Sequence, residues 1–260
     1  MQHVDLRDLL ESTIQIAYAA GDMVMDIYQS DISVQHKSDQ SPVTEADAQA
    51  ENLILQALRA LTPDIPIVSE EAAAQGDIPD WGARFWLVDP LDGTKEFIQR
   101  NGEFTVNIAL IEQGAPVLGV VLAPALQRLF AGAQGCGAFM VQGAPTAPRQ
   151  PIRCRPIPHD GLDVVASRSH GDAEALDAFL AGRTVRSLKS AGSSLKICLV
   201  ATGEADLYPR LGRTMEWDIA AGHAVLAAAG GQIHTLQGQV LHYGKHDLSN
   251  PHFYACALAA

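Results

Sequence analysis

Six acidic residues stand where a short apolar or helix-forming run gives way to a turn or a helix start. They are Asp47 in SPVTEAD, Glu70 and Glu71 at the end of IPIVSEE, Asp89 and Asp92 in DPLDGT, and Asp218 in EWDIAAGH. Carboxylates that converge on one point repel one another unless protons or cations neutralise them. A divalent metal is the natural remedy. The candidate ligands are all hard oxygens, with no His or Cys at ligand spacing, so the expected ion is Mg²⁺ rather than zinc, with Mn²⁺ able to substitute. In DPLDGT, Pro90 stiffens the turn so that Asp89 and Asp92 can face the same side, and the Leu91 carbonyl adds a neutral donor. Gly93 and Thr94 follow. A helix starting there would aim main-chain N–H groups and the positive end of its dipole outward, a seat for a phosphate oxygen. Cation ligands beside an anion seat are the parts of metal-assisted phosphate-ester hydrolysis, in which ions roughly 3.5–4 Å apart neutralise the phosphate and lower the pKa of an attacking water.

Each acid also has a plainer role open to it. Asp47 and Asp218 could cap their helices, Glu70 and Glu71 could be a solvated charge pair, and DPLDG is an ordinary surface turn. It is their joint occurrence that favours the chemical reading. His223 and His234 read as packed or surface residues; His170, in SRSH, is a candidate phosphate contact. There is no GxxxxGK[ST] or GxGxxG, and the glycine cluster GAQGCG has the wrong spacing. No GxSxG, HExxH or Cys–His pairing occurs either.

The rest of the chain must position these groups. Its 260 residues suit one large domain or two intimate lobes, and 47% apolar against 18% charged residues leaves ample material for a core. Eighteen Lys plus Arg against 30 Asp plus Glu give a net charge of −12, which argues against a nucleic-acid polymer as partner. Four separated cysteines read as reduced thiols. The start of the chain does not resemble a signal peptide, and no run reads as the ~20-residue apolar span of a membrane helix, so a cytoplasmic protein is expected.

Leu6, Leu10, Ile14, Ala17, Val24 and Tyr28 recur at helical spacing, and Thr44 with Asp47 resembles a capping box ahead of a Leu53, Ala57, Leu61 face that ends near Thr62-Pro63. IPIVSEE and RFWLVDPLDGT read as buried strands that end in carboxylates. FTVNIALI, VLGVVLA, RLFAGA and GAFMV extend them into a mostly antiparallel sheet. Five prolines between Gly143 and Asp160 mark a lobe boundary, giving lobes at 1–155 and 156–260. Beyond it, strands at DVVASRS, TVRSL and ADLYPR alternate with helices around 173–181, 193–202 and 218–229. The expectation is an α/β protein, an α+β first lobe followed by an α/β second lobe.

VSEE, DPLDGT and EWDIAAGHAVLAAAGG together resemble the three signatures of the lithium-sensitive inositol monophosphatase superfamily. SPVTEAD, the extended DPLDGTKEFIQRNGEFTVNIALI, SRSH, GSSLK and YPR resemble its CysQ-type 3′(2′),5′-bisphosphate nucleotidases, from about Lys37 to Pro251. The resemblance implies a layered α/β/α/β/α sugar-phosphatase sandwich with a metal cluster at the seam between lobes. It implies one Mg²⁺ on Glu70, Asp89 and the Leu91 carbonyl, a second on Asp89, Asp92 and Asp218, and a third visiting Glu70. Thr94 and Asp47 would orient the attacking water. A small phosphorylated substrate would meet Gly93, Thr94, His170, Ser193, Ser194, Lys196, Arg210 and Glu216, and the implied reaction converts adenosine 3′,5′-bisphosphate to AMP and phosphate, with 3′-phosphoadenylyl sulfate a second substrate. Inositol monophosphatase activity and a non-catalytic cation or nucleotide sensor stay open as alternatives. The resemblance also leaves room for a homodimer and for peripheral attachment to the inner membrane face, without integral membrane association.

Overall fold

Apolar side chains at spacings of three and four drive the first helix, α1 (Leu6–Tyr28), onto the protein; Asp5 caps its start by accepting from the Arg7 N–H at 3.0 Å. The computed structural model describes residues 5–30, 34–36, 42–167 and 173–258. A two-stranded antiparallel pair, β1 (Val34–His36) and β2 (Pro42–Thr44), leads into α2 (Glu45–Leu61). The capping box expected there is present: Thr44 accepts from the Ala46 N–H, and the Asp47 carboxylate accepts from the Thr44 N–H at 2.7 Å. The buried stripe of α2 differs from the expected one. It runs through Ala46, Ala50, Ile54 and Leu58, while Leu53, Ala57 and Leu61 are only partly buried, because α2 packs against both α1 and the sheet beneath.

That sheet has seven strands in the order β3 (Ile67–Ser69), β4 (Arg84–Asp92), β5 (Thr105–Glu112), β6 (Ala115–Ala123), β7 (Arg128–Ala133), β8 (Gly137–Gln142) and β9 (Gln150–Pro151). Only β3 and β4 run parallel, so the antiparallel expectation holds. Short helices α3 (Glu70–Ala74) and α4 (Thr94–Ile98) follow β3 and β4. Both faces of the sheet are covered, which explains its nearly continuous apolar runs. On β4, Trp86 and Val88 pack toward α1 and α2, whereas Phe85 and Leu87 enter the core on the other side.

The second half forms β10 (Leu162–Ser167), α5 (Ala173–Leu180), β11 (Val185–Ala191), α6 (Leu195–Ala201), β12 (Leu207–Arg210) and α7 (Glu216–Ala228), followed by β13 (Gly231–Thr235) and β14 (Phe253–Ala257). Its strands make a five-stranded sheet in the order β11-β10-β12-β14-β13. The alternation of strand and helix gives the parallel part; the antiparallel β13–β14 pair lies beyond what the sequence pattern predicted. Helices α6 and α7 fill the space between the two sheets, sharing a core that includes Phe85, Val121, Ile197, Val225 and Phe253. Phe179 of α5 meets Tyr254 on the outer side of the second sheet, ring centres 5.8 Å apart. The layers are therefore α/β/α/β/α.

Helix α7 approaches β6 backbone to backbone. A Cβ on Gly119 would stand 2.3 Å from the Ala221 carbonyl oxygen and 2.7 Å from the Ala224 side chain, so only glycine fits. All four cysteines are free thiols.

Candidate active site

The end of β4 brings two carboxylates to one face by a change of register. Asp89 pairs with Asn107 and Asp92 with Thr105, so three steps on β4 match two on β5. In a regular strand, residues three apart point to opposite faces; one extra residue restores the parity. The expected outcome thus has a different cause from the one read in the sequence, a bulge rather than the stiffness of Pro90 alone. Gly93 then takes the left-handed conformation, φ 90°, and caps α4, which begins at Thr94 as anticipated. A Cβ on Gly93 would come 3.3 Å from the Glu103 carbonyl oxygen.

Other elements deliver the remaining acids. Glu70 opens α3 at the exit of β3. The first turn of α3 is held by a residue the sequence reading did not single out: Glu51 of α2 accepts from the N–H groups of Glu71 and Ala72 at 3.1 and 3.2 Å. Glu71 itself is buried, not part of a solvated pair. Asp47 stands one turn before Glu51 on the same helix face. Its Oδ1 accepts from the Thr94 hydroxyl at 3.2 Å, while Oδ2 accepts from the N–H and the hydroxyl of Thr44. Capping and contact with Thr94 coexist. Asp218 is the third residue of α7, and its Oδ2 accepts from the Met215 N–H at 2.8 Å.

These elements enclose a cavity of about 600 Å³ at the junction of the two sheets. Glu70, Asp89, Leu91, Asp92, Gly93 and Thr94 line it from the first half of the chain, and Ser193, Ser194, Lys196, Arg210 and Asp218 from the second. Ser194 is committed within the protein: its N–H donates to Asp92 at 2.7 Å and its hydroxyl to the Asp218 carbonyl at 2.5 Å. The buried Lys196 ammonium donates to the carbonyls of Ala191 and Ser193 and lies over the Tyr208 ring. Ser193 has φ 40°, unusual for a non-glycine residue, and among the described residues its hydroxyl finds no partner. Glu216 departs from the sequence reading. It is fully buried outside the cavity wall, accepting from the N–H groups of Gly244 and Lys245 and from the Lys245 ammonium, so it anchors the 244–245 turn instead of facing a ligand. His170 lies outside the described residues. Arg213, Tyr208 and Trp217 also line the cavity and were missed; a second arginine in RLGRT, within a cation-poor chain, was the available signal for Arg213.

The electrostatics follow from the layout. Burial pushes the Asp89 carboxyl well above its usual range, reinforced by repulsion from Glu70, Asp92 and Asp218. Asp218 rises for the same reasons, burial first and then Asp92 and Glu70. Asp92 is pushed up to about 6 by burial, with the Lys196 ammonium and the Ser194 N–H holding it back. Lys196 in turn falls to about 8, because burial outweighs its attraction to Asp92. Burial and mutual repulsion thus favour proton uptake by Asp89, Asp92 and Asp218. Among the described residues, no three of them already stand together as a ligand cage. A hard divalent cation would supply compensating positive charge, and an all-oxygen donor set suits it.

Residues 5–259 match the inositol monophosphatase family, and the chain belongs to that family. Among its curated relatives, the 3′(2′),5′-bisphosphate nucleotidase CysQ of Salmonella typhimurium is 48% identical over 257 residues, covering 94% of this chain and 98% of the relative. CysQ of Escherichia coli K12 is 47% identical at the same coverage. The crystal structure of CysQ from Bacteroides thetaiotaomicron superposes with a TM-score of 0.80 at 38% identity, covering 96% of this chain and 97% of that one. The Thermotoga maritima IMPase follows at 0.79 and 26% identity, covering 96% and 92%. Among the described residues, no helix is long and apolar enough to cross a membrane.

Proposed function

We propose that this protein is a Mg²⁺-dependent 3′(2′),5′-bisphosphate nucleotidase, hydrolysing adenosine 3′,5′-bisphosphate with water to AMP and inorganic phosphate, and 3′-phosphoadenylyl sulfate to adenylyl sulfate. The observation that carries this reading is the cavity itself, where acids that cannot all ionise unaided face Lys196, Arg210 and Arg213. One side of the cavity calls for cations, and the other suits a second anionic group. The names of the relatives point the same way.

In this reading, Glu70, Asp89 and the Leu91 carbonyl would hold one ion and Asp89, Asp92 and Asp218 a second, with a third visiting Glu70. When bound, such ions neutralise the phosphate and lower the pKa of water. Asp47 accepts the Thr94 hydroxyl proton, leaving the Thr94 oxygen to accept from the attacking water and fix its direction. The substrate phosphate would sit at the start of α4, which the Gly93 turn leads into. Arg210 and Ser193 receive the 5′-phosphate, while Lys196 braces the turn that carries Ser193 and adds positive charge. The lobe divide at residues 155–156 falls between β9 and β10, with the cavity spanning it.

The test is phosphate release in Mg²⁺ from adenosine 3′,5′-bisphosphate, inositol 1-phosphate and fructose 1,6-bisphosphate. The nucleotide is expected to have the highest kcat/KM. Faster turnover of inositol 1-phosphate would overturn the substrate assignment.

A further inference from the structure

Beneath the carboxylates of β4 lies a polar residue to which neither motif nor mechanism assigns a role. Asn107 sits on β5 directly opposite Asp89 and is 1% exposed. Cross-strand partners share a face, and on this face the neighbouring β5 residues Ala109 and Ile111 enter the core between the sheets. On its other side Asn107 pairs with Val121 of β6, another core residue. Among the described residues, neither the amide nitrogen nor the amide oxygen of Asn107 has a hydrogen-bond partner.

A buried primary amide with all its hydrogen-bonding capacity unused is unfavourable, and an apolar residue would suit the surrounding core better. At the adjoining positions of this face, the groups able to bond to it are the acids Asp89 and Asp92 and the equally unpartnered hydroxyl of Thr105, which lies opposite Asp92. Asp89 already has one oxygen, Oδ1, held by the Leu91 N–H at 3.1 Å. The register sets Asn107 opposite Asp89, so its amide can direct the rest of that carboxylate through a shared water or after a small turn of either side chain.

We propose that Asn107 is a positioning residue that sets the direction in which Asp89 presents its carboxylate to the bound cation. This rests on the reading of Asp89 as a cation ligand. Outer groups that orient metal ligands commonly change metal affinity by about 10–100-fold when removed.

Calorimetric titration with Mn²⁺ of the native protein, Asn107→Val and Asn107→Thr tests the idea, with thermal unfolding in chelator as a parallel measurement. Valine and threonine share a shape and differ by one hydroxyl. The valine variant is expected to bind Mn²⁺ at least about tenfold more weakly while its Tm in chelator equals or exceeds the native value, and threonine is expected to recover most of the affinity. Valine binding within about threefold of native would overturn the proposal. Equal affinity losses in both variants, matched by equal falls in Tm, would also overturn it by revealing a packing effect. If the valine variant does not fold, Asn107→Ala takes its place under the same criteria. Absence of Mn²⁺ binding by the native protein would bring down the cation reading itself, whereas native binding with an unaffected variant removes only the role of Asn107.

Discussion

Two groups of aspartates in this molecule meet opposite fates. At the far end of the second sheet, Asp163 and Asp206 are answered by the chain's own arginines. Arg155 donates to both Asp206 oxygens and to Asp163, at 2.6–2.8 Å, while Arg186 and Ser187 complete the shell of Asp163. Arg186 above all, then Ser187 and Arg155, holds the Asp163 carboxyl well below the usual range. In the cavity, Lys196 offsets Asp92 and Arg210 offsets Asp218 only in part, and the carboxyls of Asp89, Asp92 and Asp218 move the other way. A charge cluster whose partners are encoded in the same chain is architecture; one left short of cations is a receptor for something from outside.

Removing one charged group from each cluster should therefore have opposite consequences. Asp89→Asn is expected to reduce nucleotide turnover about 10³-fold or more, because this side chain contributes to both proposed ion sites. The same change relieves repulsion, so the Tm in chelator should rise; retained turnover, or a fall in that Tm, would erase the contrast. A smaller effect is expected from Thr94→Val. It should lower kcat by roughly 10²-fold while leaving the calorimetric affinity for Mn²⁺ unchanged, since in the proposed mechanism the hydroxyl directs water and not the ion. A parallel loss of Mn²⁺ affinity would move Thr94 into the cation shell.

The smallest effect concerns the self-contained cluster. Because the folded-state pKa of Asp163 is depressed, the associated stabilisation is present above its unfolded value of about 3.9 and is lost as pH falls from there toward the folded value. Arg155→Met should lower the Tm at pH 7 by roughly 2–6 °C, shrink the difference in Tm between neutral and strongly acidic solution, and leave turnover intact. A change in kcat would tie this distant cluster to the site.

The sequence made the acids conspicuous because they interrupt apolar runs at strand exits and helix starts, and capping signals located α2 well. The path by which they converge was less visible. A bulge between Asp89 and Asp92 is a property of two paired strands, and no local pattern in DPLDGT reports the register of Thr105 and Asn107. Glu51 resembled any helix-surface glutamate until α3 was folded against it. Glu216 misled for a related reason: its neighbours Trp217 and Asp218 line the cavity, yet the turn of α7 points Glu216 toward Lys245. Sequence order placed the groups near the site, but three-dimensional packing decided which of them face it.

The bare backbone of Gly119 governs how deeply α7 can sink toward the first sheet, and Asp218 travels with that helix. The spacing between reactive groups from the two halves of the chain is thus gauged by a missing side chain on a strand that contributes nothing to the cavity wall. Even a single methyl group there would act as a shim, lifting the helix and widening the gap between Asp218 and the acids of the first sheet.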